Sequence, residues 1–387
     1  MARVFDDVEL GYLKEVLASG RLGWQDGGMV TRFEQAFARL VGSRYAIGRN
    51  SAATGLAQAV SVSGAGTGCE VLCDPIVHFG GLAALYFNAV PRFVDVRYGT
   101  FLMDPESVRA NITPQTKALL VTNLWGLCAE LDELRRICDQ HGLFMIEDCA
   151  HNIGSSWKGK HAGTYGDLGV FSFQQGKHLP TGDGGMLTTD REDLYTKIYG
   201  EWAFSGESPA FLTLNFRMNE VTAAVGLGQV ERVTGYVDQY TRHLRVLDEA
   251  IAGCAWLKPR EVPADARQAG YIWACIWDGD KFGLDYARFK QVCQDLGVRL
   301  SFGFNRLDTP AYTYDLFQGS TAYGVPDCPV RCPFYVAQSN YRYRPGLCPV
   351  AEDVIPRLVR TGLIEVSDEE IARRAAMLQE AIHRMER

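Results

Sequence analysis

The apolar run Phe144-Met145-Ile146 ends in Glu147-Asp148-Cys149-Ala150-His151, so a stretch of strand character delivers a carboxylate and an imidazole at its carboxyl end. Lys177 follows 29 residues after Asp148, inside Phe171-Ser172-Phe173-Gln174-Gln175-Gly176-Lys177-His178-Leu179, and Thr181-Gly182-Asp183-Gly184-Gly185 comes next. A lysine between a strand and a glycine-rich turn is poorly explained as a solvated charge, because such a turn lets the backbone approach something closely. Acid, lysine and the Ser172 hydroxyl are together the parts that a pyridoxal phosphate site requires. The amine forms an imine, and the carboxylate keeps the pyridine nitrogen protonated so that the ring can act as an electron sink. A hydroxyl and a helix N-terminus, here Ser172 and the helix expected from Ser51, suit the phosphate.

Other residues carry two readings each. Gln174 falls near such a ring by its spacing. His178 follows the lysine directly and is either a second base or a structural imidazole. Arg342 and Arg344 in Tyr341-Arg342-Tyr343-Arg344 either grip an anionic substrate or lie in a solvated loop. Asp148 alone would also suit a strand-end turn.

The elements that must position these groups alternate. Strands are expected at Tyr45 to Gly48, Val71 to Cys73, Arg92 to Val96, Ala118 to Asn123, Leu143 to Glu147, Leu168 to Phe173 and Gly185 to Thr189. Amphipathic helices lie between them, at Ser51 to Val62 and Leu131 to Gln140, with an earlier one opened by a capping box at Thr31. This order predicts an α/β fold with a mostly parallel sheet covered on both faces, whose ligands bind at the carboxyl ends of the strands. A helical pattern from about Asn219 to Ile251 leads to a smaller α+β unit. That unit holds strands at Tyr271 to Trp277 and Arg299 to Phe302, a helix at Tyr286 to Leu296, and a last helix capped by Ser367. The expected division is 1–245 and 246–387.

The 387 residues carry a net charge of −7 without a basic stripe, which excludes nucleic acid as an expected partner. No apolar stretch is long enough to span a bilayer and no apolar leader is visible, so a cytoplasmic protein is expected. Eleven scattered cysteines suit neither a disulfide framework nor a metal cluster.

The chain resembles the DegT/DnrJ/EryC1/StrS family of sugar and aminocyclitol aminotransferases nearly from end to end. The resemblance rests on Ile146-Glu147-Asp148-Cys149-Ala150-His151-Asn152-Ile153-Gly154, on Gly166-Asp167-Leu168-Gly169-Val170-Phe171-Ser172 through Lys177, and on Gly182-Asp183-Gly184-Gly185. Asn215-Phe216-Arg217-Met218-Asn219-Glu220 and Cys348-Pro349-Val350-Ala351-Glu352 complete it, in the family's order.

The resemblance implies a fold-type I pyridoxal-phosphate-dependent aminotransferase. Lys177 would be its Schiff-base lysine, Asp148 the partner of the pyridine nitrogen, His151 the contact to the phenolic oxygen and Ser172 a phosphate ligand. It also implies a homodimer in which Asn215 reaches the phosphate of the partner subunit's cofactor. The family's Gly-Thr pair at the phosphate-binding helix is replaced here by Ala52-Ala53, which keeps backbone donors and displaces the hydroxyl. The ring-stacking aromatic falls at His78 or Phe79. The implied reaction carries an amino group from L-glutamine or L-glutamate, through the pyridoxamine form, to a keto-sugar or keto-cyclitol, with a leaning to aminocyclitols of antibiotic pathways. A dehydratase or deoxygenase of the same fold and a non-catalytic regulatory relative are the alternatives, and the presence of Lys177 speaks against the first.

Overall fold

A computed structural model describes residues 3–202, 215–304, 308–319, 323–324 and 327–387. Its seven-stranded sheet is built from β1 (Tyr45–Arg49), β2 (Glu70–Cys73), β3 (Val90–Phe93), β4 (Thr116–Thr122) and β5 (Phe144–Asp148). A small antiparallel ribbon, β6 (Ser156–Trp157) and β7 (Lys160–His161), precedes the last two strands, β8 (Leu168–Ser172) and β9 (Gly185–Thr189). The strand order is β1-β9-β8-β5-β4-β2-β3, and β9 alone runs against its neighbours. Strands β2, β5, β8 and β9 are buried almost throughout, which is why they read as continuous apolar runs: both faces of the sheet are covered.

On one face the helix Ala52–Val62 buries Leu56, Ala59 and Val60 against Ile146, Val170 and Leu187. On the other, Phe37 of the helix Met29–Val41 meets Phe171 with ring centroids 4.9 Å apart, and Phe33 meets Phe173 at 5.1 Å. Successive side chains of a strand alternate, so Val170 and Ser172 share the face of the Ala52 helix while Phe171 turns to the other.

Several expectations are corrected. The helix expected to open at Thr31 begins at Met29, and Thr31 is not its cap. The Glu220 carboxylate, from another helix, accepts the amides of Gln25 and Met29 instead, in a space that a side chain at position 28 would fill. The pattern from Asn219 to Ile251 is two helices, Glu220–Val230 and Val233–Ala250.

The smaller sheet comprises β10 (Leu257–Pro259), β12 (Ile272–Trp277), β13 (Ser301–Phe302) and β14 (Leu358–Gly362), in the order β10-β12-β14-β13; β11 (Ala266–Arg267) pairs with β6 instead. Its core of Trp273, Trp277, Phe289 and Leu378 also contains Tyr236, Tyr240 and Leu244. The expected cut at 245 falls within the helix Val233–Ala250, which packs Val233 and Val237 with the large core and Tyr240, Leu244 and Leu247 with the smaller one. Residues Ala311, Tyr312, Phe317, Cys348 and Val354 pack in the opposite sense, with the large sheet. Buried Glu70 helps to fasten that segment, accepting Tyr335 Oη at 2.8 Å and pairing with Arg92 Nη1 at 3.2 Å.

Candidate active site

Strand β5 ends on two carboxylates that point to opposite faces. Glu147 is consumed by the scaffold: its oxygens accept the amides of Gly163, Tyr165 and Gly166 at 2.7–2.8 Å and the Asn123 side-chain amide at 3.1 Å. Asp148 faces the Ala52 helix. Its Oδ1 accepts the Ala150 amide at 3.0 Å, the one hydrogen bond to this carboxylate among the described residues. Burial pushes its pKa up to about 6, against the opposing pull of the Ala150 amide and the Lys177 charge.

Ser172, one alternation beyond Val170, looks toward the N-terminus of the same helix. The Ser51 hydroxyl caps that helix by accepting the Thr54 amide at 3.1 Å, and Thr54 Oγ1 donates to Asn50 Oδ1 at 2.6 Å. The displaced hydroxyls are thus occupied with each other. The amides of Ala52 and Ala53 belong to the first turn, where a helix has no acceptors of its own to offer. A Cβ at Gly185 would lie 2.5 Å from Ser51 C and 2.7 Å from Ala52 N, so β9 and the turn approach as closely as backbones can. The result is an anion cradle of helix amides and one serine hydroxyl, donors of the kind that suit a phosphate.

Lys177 rides on a turn between residues 173–175 and 181–184. Phe173 N donates to Gly184 O at 2.9 Å, Gln175 N to Gly182 O at 2.8 Å, and Gly182 has φ +89°. The Nζ lies 3.2 Å from the Tyr271 hydroxyl. Burial pushes the amine down to about 8, with Asp148 opposing.

The Tyr271 ring stacks on His151, with centroids 4.4 Å apart and planes at 18°, and lies 5.3 Å from the His178 ring. Desolvation first, then the Lys177 charge, holds His151 well below the usual histidine range. His178 is 1% exposed and its Nε2 lies 2.7 Å from Gly270 O. Burial brings its pKa to about 4, so it is a neutral imidazole that links the lysine turn to the segment bearing Tyr271. Of the two readings of His178, this geometry matches the structural imidazole.

The other expected residues have partners of their own. His78 and Phe79 stack on each other at 4.4 Å, at the start of the short helix beyond β2, with Phe79 exposed and His78 half-buried. Gln174 is exposed, and its Oε1 accepts the Gly176 amide at 2.7 Å, capping its own turn. Asn215 is also exposed: its Oδ1 accepts the Arg217 amide at 3.2 Å and its carbonyl accepts Asn50 Nδ2 at 3.2 Å, beside the cradle. Arg342 lies with the far edge of the large sheet. It donates to the Tyr341 carbonyl at 2.6 Å, and Tyr341 binds the Phe93 amide on β3. That edge is four strand spacings from β8, roughly 19 Å. Tyr271, which the sequence did not single out, is the side chain whose hydroxyl reaches Lys177 Nζ. It was visible only as the first residue of a core strand, and the chain separates it from Lys177 by 94 positions.

The sheet, the lysine turn and the carboxylate facing a helix-built anion cradle define a pyridoxal-phosphate-dependent aminotransferase of fold type I. Comparison with known proteins gives the same class. Residues 5–349 match the DegT/DnrJ/EryC1/StrS aminotransferase family, and the chain belongs to it.

Spore coat polysaccharide biosynthesis protein SpsC of Bacillus subtilis (strain 168) is 29% identical over 380 residues, covering 90% of this chain and 93% of that protein. A putative L-glutamine:3-amino-2,3-dideoxy-scyllo-inosose aminotransferase of Streptomyces kanamyceticus is 36% identical over 234 residues, 58% of this chain and 56% of that one. The crystal structure of an aminotransferase from Psychrobacter cryohalolentis shares the fold, with TM-score 0.83 and 24% identity over 100% of this chain and 99% of that one. Among the described residues no helix is long and apolar enough to cross a membrane.

Proposed function

We propose that this aminotransferase carries an amino group from L-glutamine or L-glutamate to the carbonyl carbon of a keto-sugar or keto-cyclitol, with Lys177 as covalent anchor and proton carrier. The observation that supports these roles best is convergence: Asp148 and Ser172 end neighbouring strands on one face, opposite one helix N-terminus, and the Lys177 amine stands over the same edge. When bound, pyridoxal phosphate supplies an electron sink for the bond broken at the substrate Cα. Ser172 and the Ala52 and Ala53 amides would hold its phosphate, Asp148 would keep its ring nitrogen protonated, and His151 would contact its phenolic oxygen. One member of the stacked pair, His78 or Phe79, would cover the ring. Lys177, with its amine brought toward neutrality, takes a proton at Nζ and returns it.

Asn215, exposed beside the cradle, completes the phosphate site of the partner subunit in a homodimer. A keto-cyclitol acceptor is favoured by the likeness to the Streptomyces kanamyceticus protein, and we place the reaction in antibiotic or other secondary metabolism.

The test is spectroscopic. The purified protein loaded with cofactor should show a visible band that bleaches with L-glutamine or L-glutamate. The band should return with one member of a panel of keto-cyclitols and nucleotide-linked keto-sugars. A band that neither donor bleaches would sink the proposal, and recovery only with nucleotide-linked sugars would overturn the cyclitol preference.

A further inference from the structure

Arg3 lies in the segment that precedes the helix Asp7–Ser19, yet its side chain is 1% exposed. Its guanidinium spans the lysine turn: Nη1 donates to the carbonyl of Gln175 and Nη2 to the carbonyl of Lys177 itself. Nη1 also lies 3.3 Å from Glu365 Oε1, and the Glu365 amide donates to Tyr240 Oη at 3.3 Å. The segment that carries Arg3 is tied down on both sides of its next peptide. Val4 N donates to Tyr236 Oη at 3.0 Å, and Val4 O accepts Gln229 Nε2 at 2.9 Å and Arg232 Nη1 at 2.7 Å. A buried cation on an anchored strap is therefore spent on two backbone carbonyls of one turn.

We infer that Arg3 is a positioning residue for Lys177: by clamping the Gln175 and Lys177 carbonyls it fixes the direction in which the lysine side chain leaves the turn. The physical reason is the orientation of peptide planes. Gly176 inside the turn and Gly182 opposite it leave the backbone several accessible conformations, and a lysine has four further rotatable bonds. The carbonyl of Lys177 lies in the peptide plane that joins it to His178, and the His178 ring holds the Gly270 carbonyl on the far side. A planar guanidinium donating two directed hydrogen bonds selects one orientation of that plane, which a single ammonium does less well. Among the described residues Arg3 has no hydrogen bond to the Ala52 helix, to Ser172 or to Asp148, so its removal should act on the lysine turn and its neighbours and leave the anion cradle in place.

The inference rests on Lys177 being the cofactor lysine, and the experiment separates the two ideas by using two forms of the cofactor and a measurement without it. Full-length wild type, Arg3→Met and Arg3→Lys are compared in three ways. The first is hydrogen exchange of the peptide 174–183 in cofactor-free protein. The second is the rate at which the visible band forms on adding pyridoxal phosphate. The third is the affinity for pyridoxamine phosphate, which needs the cradle and not the lysine.

Arg3→Met should speed exchange of that peptide about tenfold, the factor expected when charge-assisted hydrogen bonds to a turn are removed. It should slow band formation by a similar factor and leave the pyridoxamine phosphate affinity unchanged, and Arg3→Lys should fall between. If the Met variant does not fold, the Lys variant decides: a band formed at the wild-type rate overturns the inference. Equal loss of affinity for both cofactor forms also overturns it, since Arg3 would then be a general structural support, as does unchanged exchange in Arg3→Met. A wild type that forms no band refutes the role of Lys177 instead, while the exchange measurement still reads the clamp.

Discussion

The Tyr271 hydroxyl stands 3.2 Å from Lys177 Nζ while the Tyr271 ring lies nearly parallel on His151, with centroids 4.4 Å apart. One side chain just ahead of β12 thus meets both the Lys177 amine and the His151 imidazole. Tyr271→Phe keeps the stack and removes the hydrogen bond. Steady-state kinetics should show kcat lowered roughly tenfold, the worth of one such bond, with pyridoxamine phosphate binding intact. Wild-type kcat in this variant would leave the hydroxyl without a role.

Asp148→Asn replaces a carboxylate by an amide of the same shape that cannot hold a cationic ring nitrogen. Activity should fall by at least about a hundredfold, as for other groups that stabilise developing charge. The melting temperature of the cofactor-free protein should not fall, because the buried carboxyl already carries a desolvation penalty. Retained activity would show that Asp148 is only a strand-end residue.

Lys177 should make the cofactor-free protein less stable wherever it must be protonated. Its pKa is lowered from the ordinary 10.5 to about 8, so the unfolded chain binds more protons between these values and stability rises with pH across that window. Lys177→Met should melt higher than wild type below pH 8, and the difference should shrink toward pH 10.5. The same variant should form no visible band. A difference independent of pH would mean that the amine is not desolvated.

His178 has the corresponding acid-side signature. With its pKa lowered from 6.5 to about 4, the unfolded chain takes up the extra proton as pH falls through that range, and stability is lost between them. His178→Asn should flatten that part of the melting temperature profile, and an unaltered slope would assign the acid loss to other groups.

Gly185→Ala places a methyl group 2.5–2.7 Å from the Ser51–Ala52 backbone. Overpacking of this kind costs about 1–3 kcal/mol, and here the strain falls on the cradle. Affinity for pyridoxamine phosphate should drop in isothermal titration more than the melting temperature alone would suggest. Normal affinity would mean that the cradle is built elsewhere.

Local sequence determined the strands, because period and burial are written into adjacent residues. Phe144 to Asp148 and Leu168 to Ser172 are apolar runs that end on polar groups, and the resulting edge is where Asp148, Ser172 and Lys177 meet. It also determined the cap at Ser367, whose hydroxyl accepts the Glu370 amide at 3.2 Å. Tertiary structure decided what depends on groups distant in the chain. Glu220 replaced Thr31 as the device that starts a helix, and Ala311, Tyr312, Phe317, Cys348 and Val354 joined the large core although they lie between β13 and β14 of the smaller sheet. Tyr271 and Arg3 reached Lys177 across 94 and 174 positions. A contact of that kind leaves no periodicity and no spacing to read, since its geometry is set by the packing of whole elements and not by its neighbours in sequence.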